Sequence, residues 1–407
     1  MMKNYVSFLT KKAPLSYLLV SLFSGLSGGF FYPLLGIFVV DGLNASPLQM
    51  GVFLAVSIFS GVIVSQRIAK LSDLGWERRK IIMLSQSTFV VVMALFMVIR
   101  DFYLALAVMI FIASFTAAAM PQTFAVGREF ADKNLGDKST LFVSLMRAML
   151  SLSWVIGPPL AFILYDAVGF NGAFMFAATT MVISVLIVWR MFPSNKVKDT
   201  VTNSVTEVRQ SWRKVPGAPL YLIAVFMLFF ANNMYVMSIP LYVTKELELA
   251  GSVAGQILGL AAFIEIPVMV LAGLWAAKVA PQRLMVLSAI SASAFYGLLF
   301  NAEALWQIYA LQLLNGFAIG ISASLGMVVI QNKMPNQMGV ATTLFNNAIM
   351  IASLASSVTV GVVAELHNYH SVFLVMLVAG TMAFGLLLVS ARETRRPPCA
   401  VNMAAEA

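Results

Sequence analysis

Glu265 stands in the apolar run AAFIEIPVMV, Ala261 to Val270. It falls near the middle of an expected apolar span, 252–277, where the helical rise puts it about 20 Å from either end. A carboxyl group in such a place is a candidate proton site, because hydrocarbon penalises its charged form. Arg147 is its cationic counterpart, in SLMRAMLSLSWVIGPPLAF, Ser144 to Phe162. An arginine inside a bilayer span costs about 2.5–3.5 kcal/mol on insertion scales, so it faces protein or a wet cavity. Arg147 lies only about 10 Å from the basic end of its expected span, 140–164, within reach of the interface by snorkelling. Glu265 is the acid well inside a span, so the two are expected to act together in proton coupling.

A second group consists of amides. Asn232 and Asn233 fall in FFANNMYVMSIP, Asn315 follows Gln312, Asn346 and Asn347 are adjacent, and Gln122 stands in AMPQTF. Amides both donate and accept, which suits the hydroxyls of a neutral polyol. Tyr32, Tyr235 and Trp154 offer flat faces beside them. These nine residues other than Gln312 are the expected substrate-binding set. Amides also glue helices together in lipid, so each has a packing reading as well. A third group is Asp73 with Arg78 and Arg79, followed by Lys80, an acid-base cluster that could latch two helix ends. Gly157 and Pro158, followed by Pro159, are the expected flexing point of the same device.

These residues sit in a chain of 407, of which 60% are hydrophobic and 11% charged. A soluble fold needs more polar surface. Twelve apolar spans are expected near 15–40, 48–70, 80–99, 102–127, 140–164, 172–192, 219–244, 252–277, 283–300, 305–331, 339–364 and 371–391. Beta barrels use segments of about ten residues with alternating polarity, and none is present here. The class is an all-α membrane protein.

The net charge of +9 follows the connections. All but Arg100, Lys245 and Arg147 of the 26 Lys and Arg residues fall at one end of the spans or in the terminal segments. That bias predicts both termini in the cytoplasm and argues against nucleic acid as a partner. The longest polar stretch, Pro193 to Pro219, contains an amphipathic segment, Val205 to Lys214. It divides the chain into a bundle over 1–193, a central loop over 194–218, a bundle over 219–391 and a tail over 392–407. Ser139-Thr140-Leu141-Phe142 and Thr342-Thr343-Leu344-Phe345 open matching spans, and Pro33 and Pro240 occupy matching places, as in parallel repeats.

Small residues recur every fourth position at Ser21, Gly25 and Gly29, at Ser153, Gly157 and Ala161, and at Gly316, Gly320 and Ser324. Such rows let helix backbones approach closely in lipid.

Enzyme chemistry finds no support. Gly25-Leu26-Ser27-Gly28 lacks a base at its membrane depth, since His367 and His370 lie in a far loop. Gly136-Asp137-Lys138-Ser139 lacks the upstream glycine of a phosphate loop. No metal constellation and no cofactor is indicated. The single cysteine, Cys399, allows no internal disulfide. Transport driven by a gradient is the expected activity; a membrane sensor or scaffold would carry a soluble signalling domain.

Twelve spans in two halves, with Ala69, Asp73, Gly75, Arg78, Arg79 and Lys80 after the second, resemble the major facilitator superfamily. The spacing is shifted from the superfamily pattern Gly-x-x-x-Asp-Arg-x-Gly-Arg-Lys. More closely, the chain resembles the bacterial sugar efflux transporter family. The matching segments are AMPQTFAVGREFAD (Ala119 to Asp132), SLMRAMLSLSWVIGPPLAF, IEIPVMVLAG (Ile264 to Gly273), LQLLNGFAIG (Leu311 to Gly320), MPNQMGVATTLFNN (Met334 to Asn347) and VAELHNYHSVF (Val363 to Phe373). The resemblance implies two six-helix bundles and proton-linked export of small sugars or glycosides by a monomer in a bacterial inner membrane. A multidrug/proton antiporter is the alternative within the superfamily, and the 25 methionines suit its walls.

Overall fold

The computed structural model describes residues 12–73, 76–192 and 211–395. Among them the chain is helical, with 11 helical stretches long and apolar enough to cross a membrane. One of these, Phe142–Met191, is 50 residues long and makes two crossings. The helices are α1 (Lys12–Ile37), α2 (Pro47–Asp73), α3 (Arg78–Val98), α4 (Phe102–Phe111), α5 (Ala119–Asn134) and α6 (Ser139–Met191). They continue as α7 (Ala218–Leu241), α8 (Gly251–Ala276), α9 (Pro281–Phe300), α10 (Leu305–Lys333), α11 (Met338–Leu366) and α12 (Tyr369–Arg395).

Two boundaries differ from the expected ones. The fourth span is not one helix: α4 and α5 are joined by a 3-10 segment, Ala113–Ala118. Pro121 cannot donate to the carbonyl of Ala117, and Thr116 Oγ1 bonds the Ala113 carbonyl at 2.6 Å, which favours the tighter winding. The expected loop from Asp166 to Asn171 shrinks to one residue. Helical geometry persists along α6 except at Gly169, with φ 70° and ψ −170°, a region open to glycine. Gly169 therefore separates a first arm, the fifth span, from a second arm, the sixth. Pro158 and Pro159 lie inside the first arm without breaking it.

α1 and α7 end alike. Each runs into a π-turn, Phe38–Gly42 and Tyr242–Glu246. Leu43 N bonds Phe38 O at 3.0 Å and Ala45 N bonds Val39 O at 3.2 Å; Leu247 N to Tyr242 O and Leu249 N to Val243 O repeat both, at 3.0 Å each. Asn44 and Glu248 then both take φ of 53°. The internal repeat is thus written in the backbone, where side chains retain only traces of it. α2 starts on a capping box: Ser46 N donates to Gln49 Oε1 at 2.8 Å, and Gln49 N to Ser46 Oγ at 3.3 Å.

The contacts divide the chain into two compact units. One comprises 12–192, 236–262 and 357–369; the other comprises 211–235, 263–356 and 370–395. α7, α8 and α11 each contribute to both. The ends of these three helices pack onto α1, α2 and α6. Of the expected amphipathic segment, Val205 to Lys214, residues 205–210 lie outside the described residues; Trp212–Lys214 forms a 3-10 turn.

The first unit is closed at its basic end by aromatics around Tyr17. Its ring lies 4.2 Å from that of Phe192 and 4.8 Å from that of Phe130. Nearer mid-span, Gln86 Nε2 donates to Ser24 Oγ at 2.9 Å and Ser184 Oγ at 3.0 Å, and Ser27 meets Thr180 at 2.8 Å. These bonds tie α1, α3 and the second arm of α6 in a medium where unpaired polar groups are costly. In the second unit Ser288 and Ser322 join α9 to α10 at 2.7 Å, and Tyr221 Oη donates to the Gly326 carbonyl at 2.6 Å.

Candidate functional site

The first arm of α6 carries Arg147, Trp154, Gly157 and Pro158, and its geometry follows from small residues. A Cβ added at Gly157 would lie 2.9 Å from Gly29 Cα, and one at Gly25 would lie 2.5 Å from Ser153 Oγ. Ser153 Oγ donates to Leu22 O at 2.8 Å, closing the same seam. The rows of small residues in α1 and α6 are therefore one interface. Its other side receives α8. A Cβ at Gly255 would meet Pro158 O at 2.9 Å, and one at Gly259 would meet Pro159 Cγ at 2.4 Å and Val155 O at 3.1 Å. Pro159 has no N–H to give Val155 O, so the close Gly259 backbone shields a carbonyl that the helix leaves unpaired. A third seam joins α2 to α11, where a Cβ at Gly51 would lie 2.9 Å from Gly361 Cα.

Beyond these seams, at the end away from the basic loops, four carboxylates fasten helix ends in the first unit. Asp166 accepts from Gly251 N at 3.1 Å and Ser252 N at 2.7 Å, at the start of α8. Glu365, at the end of α11, accepts from Leu48 N at 3.2 Å, in the first turn of α2. Glu246 accepts from Tyr369 N, the first residue of α12. Asp41 pairs with Lys245. Three of the four thus satisfy orphan donors at helix N-termini, where negative charge is favoured. The fifth span grips α8 as the eleventh grips α2, so the first two clasps are related by the repeat. Sequence reasoning missed them; the available signal was an acid within a few residues of a helix end.

At the basic end, Arg78 pairs with Glu129 at 3.2 Å, and Arg79 donates to the carbonyl of Trp189 near the end of α6. Arg78 and Arg79 therefore tie α3 to α5 and α6. Asp73 is the last residue of α2, and its side chain lies outside the described residues. Arg147 is exposed, with its guanidinium carbon 5.9 Å from the Phe124 ring centroid. Trp154 is half-buried, Tyr32 is exposed, and Gln122 is buried, accepting from Ser72 Oγ at 3.1 Å.

The second unit holds the remaining residues. Glu265 is half-buried on α8. Gly320 of α10 packs against its turn, with an added Cβ 3.0 Å from Glu265 O, so the backbone bearing the carboxyl is held. Tyr235 Oη donates to Gln312 Oε1 at 3.0 Å, and Asn315 Nδ2 donates to the same oxygen at 3.1 Å. Gln312 Nε2 returns to Ile308 O at 2.8 Å, and Phe295 stacks edge-on against Tyr235 at 5.1 Å. Tyr235, Gln312 and Asn315 are all buried, and this network ties α7 to α10. Asn233 bonds Phe229 O at 2.7 Å along its own helix, and Asn232 beside it is half-buried. Asn346 and Asn347 are exposed on α11.

Apolar crossing helices, close seams of small residues and isolated polar side chains inside the spans define a polytopic membrane transporter. The family model described as Major Facilitator Superfamily matches residues 17–356 and 221–402. Sugar efflux transporter A of Dickeya chrysanthemi is 36% identical over 363 residues, 88% of this chain and 91% of that protein. Sugar efflux transporter C of Escherichia coli (strain K12) is 33% identical over 358 residues, 88% and 91% of the two chains. Among solved structures, the nucleoside transporter NupG superposes with a TM-score of 0.73 at 13% identity, over 95% of this chain and 100% of that one. A bacterial homolog of the human lysosomal transporter Spinster gives 0.74 at 11%, over 97% and 99%. These two likenesses concern the fold. The chain belongs to the Major Facilitator Superfamily and, within it, to the sugar efflux transporter family. It is a multi-pass inner-membrane transporter rather than an enzyme.

Proposed function

We propose that this transporter exports small sugars or glycosides by alternating access, exchanging them for protons. The observation that carries the substrate class is identity of 33–36% with three curated sugar efflux transporters over nearly nine-tenths of the chain. The placement of the amides agrees with it. Asn232, Asn346 and Asn347 are half-buried or exposed, on α7 and α11, and neutral amides match hydroxyl groups without demanding a charge. Trp154 and Tyr32 supply apolar faces for sugar rings. Tyr235, Asn315 and Gln122 act behind them, holding helices through their bonds to Gln312 and Ser72.

In the coupling scheme, Glu265 takes a proton from outside and delivers it inside. Arg147 neutralises the deprotonated carboxylate and releases it on protonation. Gradient energy enters because protons and sugar bind the alternating states with different affinity. The basic end faces the cytoplasm together with both termini, the two six-helix halves move as bodies, and the chain acts as a monomer.

The test is efflux of radiolabelled lactose and of a cationic dye from proteoliposomes, with and without a pH gradient. Lactose efflux that the gradient accelerates supports the reading. Dye export without sugar export would replace it with multidrug antiport.

A further inference from the structure

Two adjoining cavities open at the basic end of the second unit, and neither belongs to the transport scheme. The first, about 440 Å³, is lined by Ala280 to Arg283, Val329, Asn332, Lys333 and Ala391. The second, about 450 Å³, shares Gln282, Arg283 and Ala391 and continues over Val286, Leu287 and Leu388 to Arg392. The first carries Asn332 and Lys333, and the second is the more apolar. Leu287 and Leu388 are 47% and 36% exposed, so the apolar cavity opens on the side of the helices that lipid would cover.

Arg283, Lys333 and Arg392 line the two cavities, and Glu393 acts on Lys333. Lys333 Nζ also lies 6.0 Å from the Tyr221 ring centroid. The start of α9, with Pro281 in its first turn, adds the positive end of a helix dipole. Between the cavities stands Gln282. Its Nε2 reaches Leu387 O at 3.4 Å, whereas its Oε1 is buried without a hydrogen-bond partner. An unpaired buried acceptor is costly, and a small turn of this half-buried side chain would offer Oε1 to a donor in the cavity.

We infer that these cavities hold an anionic phospholipid, its phosphate against Arg283, Lys333 and Arg392, its headgroup hydroxyl donating to Gln282 Oε1, and its acyl chain along Val286, Leu287 and Leu388. Basic pockets between membrane helices bind anionic headgroups in this way, each cation adding attraction near the surface. Phosphatidylglycerol has both the negative phosphate and the hydroxyl donors that the site requires. A soluble phosphate ester would satisfy the cations but leave the apolar cavity unused.

The experiment is native mass spectrometry of the purified full-length protein, offered phosphatidylglycerol, phosphatidylethanolamine and phosphatidylcholine at equal concentration. One phosphatidylglycerol is expected to remain bound in preference to the others. The double variant Arg283→Ala/Arg392→Ala should lower its retention about tenfold or more. Gln282→Glu keeps the shape, adds a negative charge and should also lose it. Arg128→Ala, on α5 of the first unit, should change nothing. Millimolar glycerol 3-phosphate should fail to displace the lipid. Equal retention by the double variant and Gln282→Glu, equal retention of phosphatidylethanolamine, or displacement by glycerol 3-phosphate would each overturn the proposal. If the double variant elutes as an aggregate in size exclusion, the result for Gln282→Glu decides.

Discussion

Cutting the Asp166 clasp should change how often the far end of the transporter opens. Asp166 holds the start of α8 through two backbone N–H groups, at 3.1 and 2.7 Å. Hydrogen bonds to a charged group contribute about 1.5–3 kcal/mol, and a carboxylate at a helix N-terminus adds a few tenths more. Asp166 is exposed and Ser252 half-buried, so solvent holds the value at the lower end, about 2 kcal/mol. Alternating access requires that these two bonds be absent when the far end is open. Asp166→Ala should then raise the ratio of open to clasped forms by about 30-fold. Asp166→Asn keeps one acceptor oxygen and should give a rise of a few-fold. Adding Glu365→Ala, which frees Leu48 N on the related side, should enlarge the effect. The assay is electron-electron resonance between spin labels at Val168 and Ala250, in a Cys399→Ser background. Both positions are exposed and flank the clasp. A distance distribution that is unchanged in Asp166→Ala and in the double variant would refute the reasoning, since the bonds would then not distinguish the states.

Three further outcomes are expected. Gly157→Val should reduce thermal stability, because even a Cβ would lie 2.9 Å from the Gly29 backbone; overpacking of this kind costs about 1–3 kcal/mol, read as a lowered melting temperature in detergent. Glu265→Gln should abolish efflux driven by a pH gradient while leaving sugar exchange across the membrane intact, and gradient-driven efflux at the normal rate would remove Glu265 from the mechanism. Asn347→Leu should raise the sugar concentration for half-maximal transport with little change in stability, whereas Tyr235→Phe should do the reverse, losing about 1 kcal/mol through its bond to Gln312; thermal melts and transport kinetics of the two variants separate these effects.

The spans were legible because a 30 Å hydrocarbon layer imposes a length and a composition that local sequence must meet. The small-residue rows were legible for a related reason. Spacing of four puts Gly25 and Gly29 on one face, opposite Ser153 and Gly157. What lay beyond reach was the identity of partners distant in the chain. Asp166 and Ser252 are 86 positions apart, Glu365 and Leu48 are 317 apart, and an acid near a helix end does not say which distant helix it caps. The same limit applies to Tyr235 and Asn315. Their residue types suit a sugar, but which way each points depends on how α7 and α10 are turned toward one another. Gly157 and Pro158 read as a flexing point from their residue types; that Pro158 and Pro159 also form a packing surface for Gly255 and Gly259 depends on a helix about 100 positions away.

The twin π-turns after α1 and α7 bear on how far this chain tolerates change in length. A π-turn accommodates one residue more than the α-helix around it. Everything after it is therefore turned by about 100° relative to an uninterrupted helix. Deleting one residue from Tyr242–Glu246 would swing Lys245 off Asp41 and Glu246 off Tyr369 while leaving the apolar span before it intact. The turns work as spacers that convert a helix register set by lipid into one set by the neighbouring chain ends. Two halves holding the same spacer at matched places have kept a shared length constraint after most of their side chains diverged.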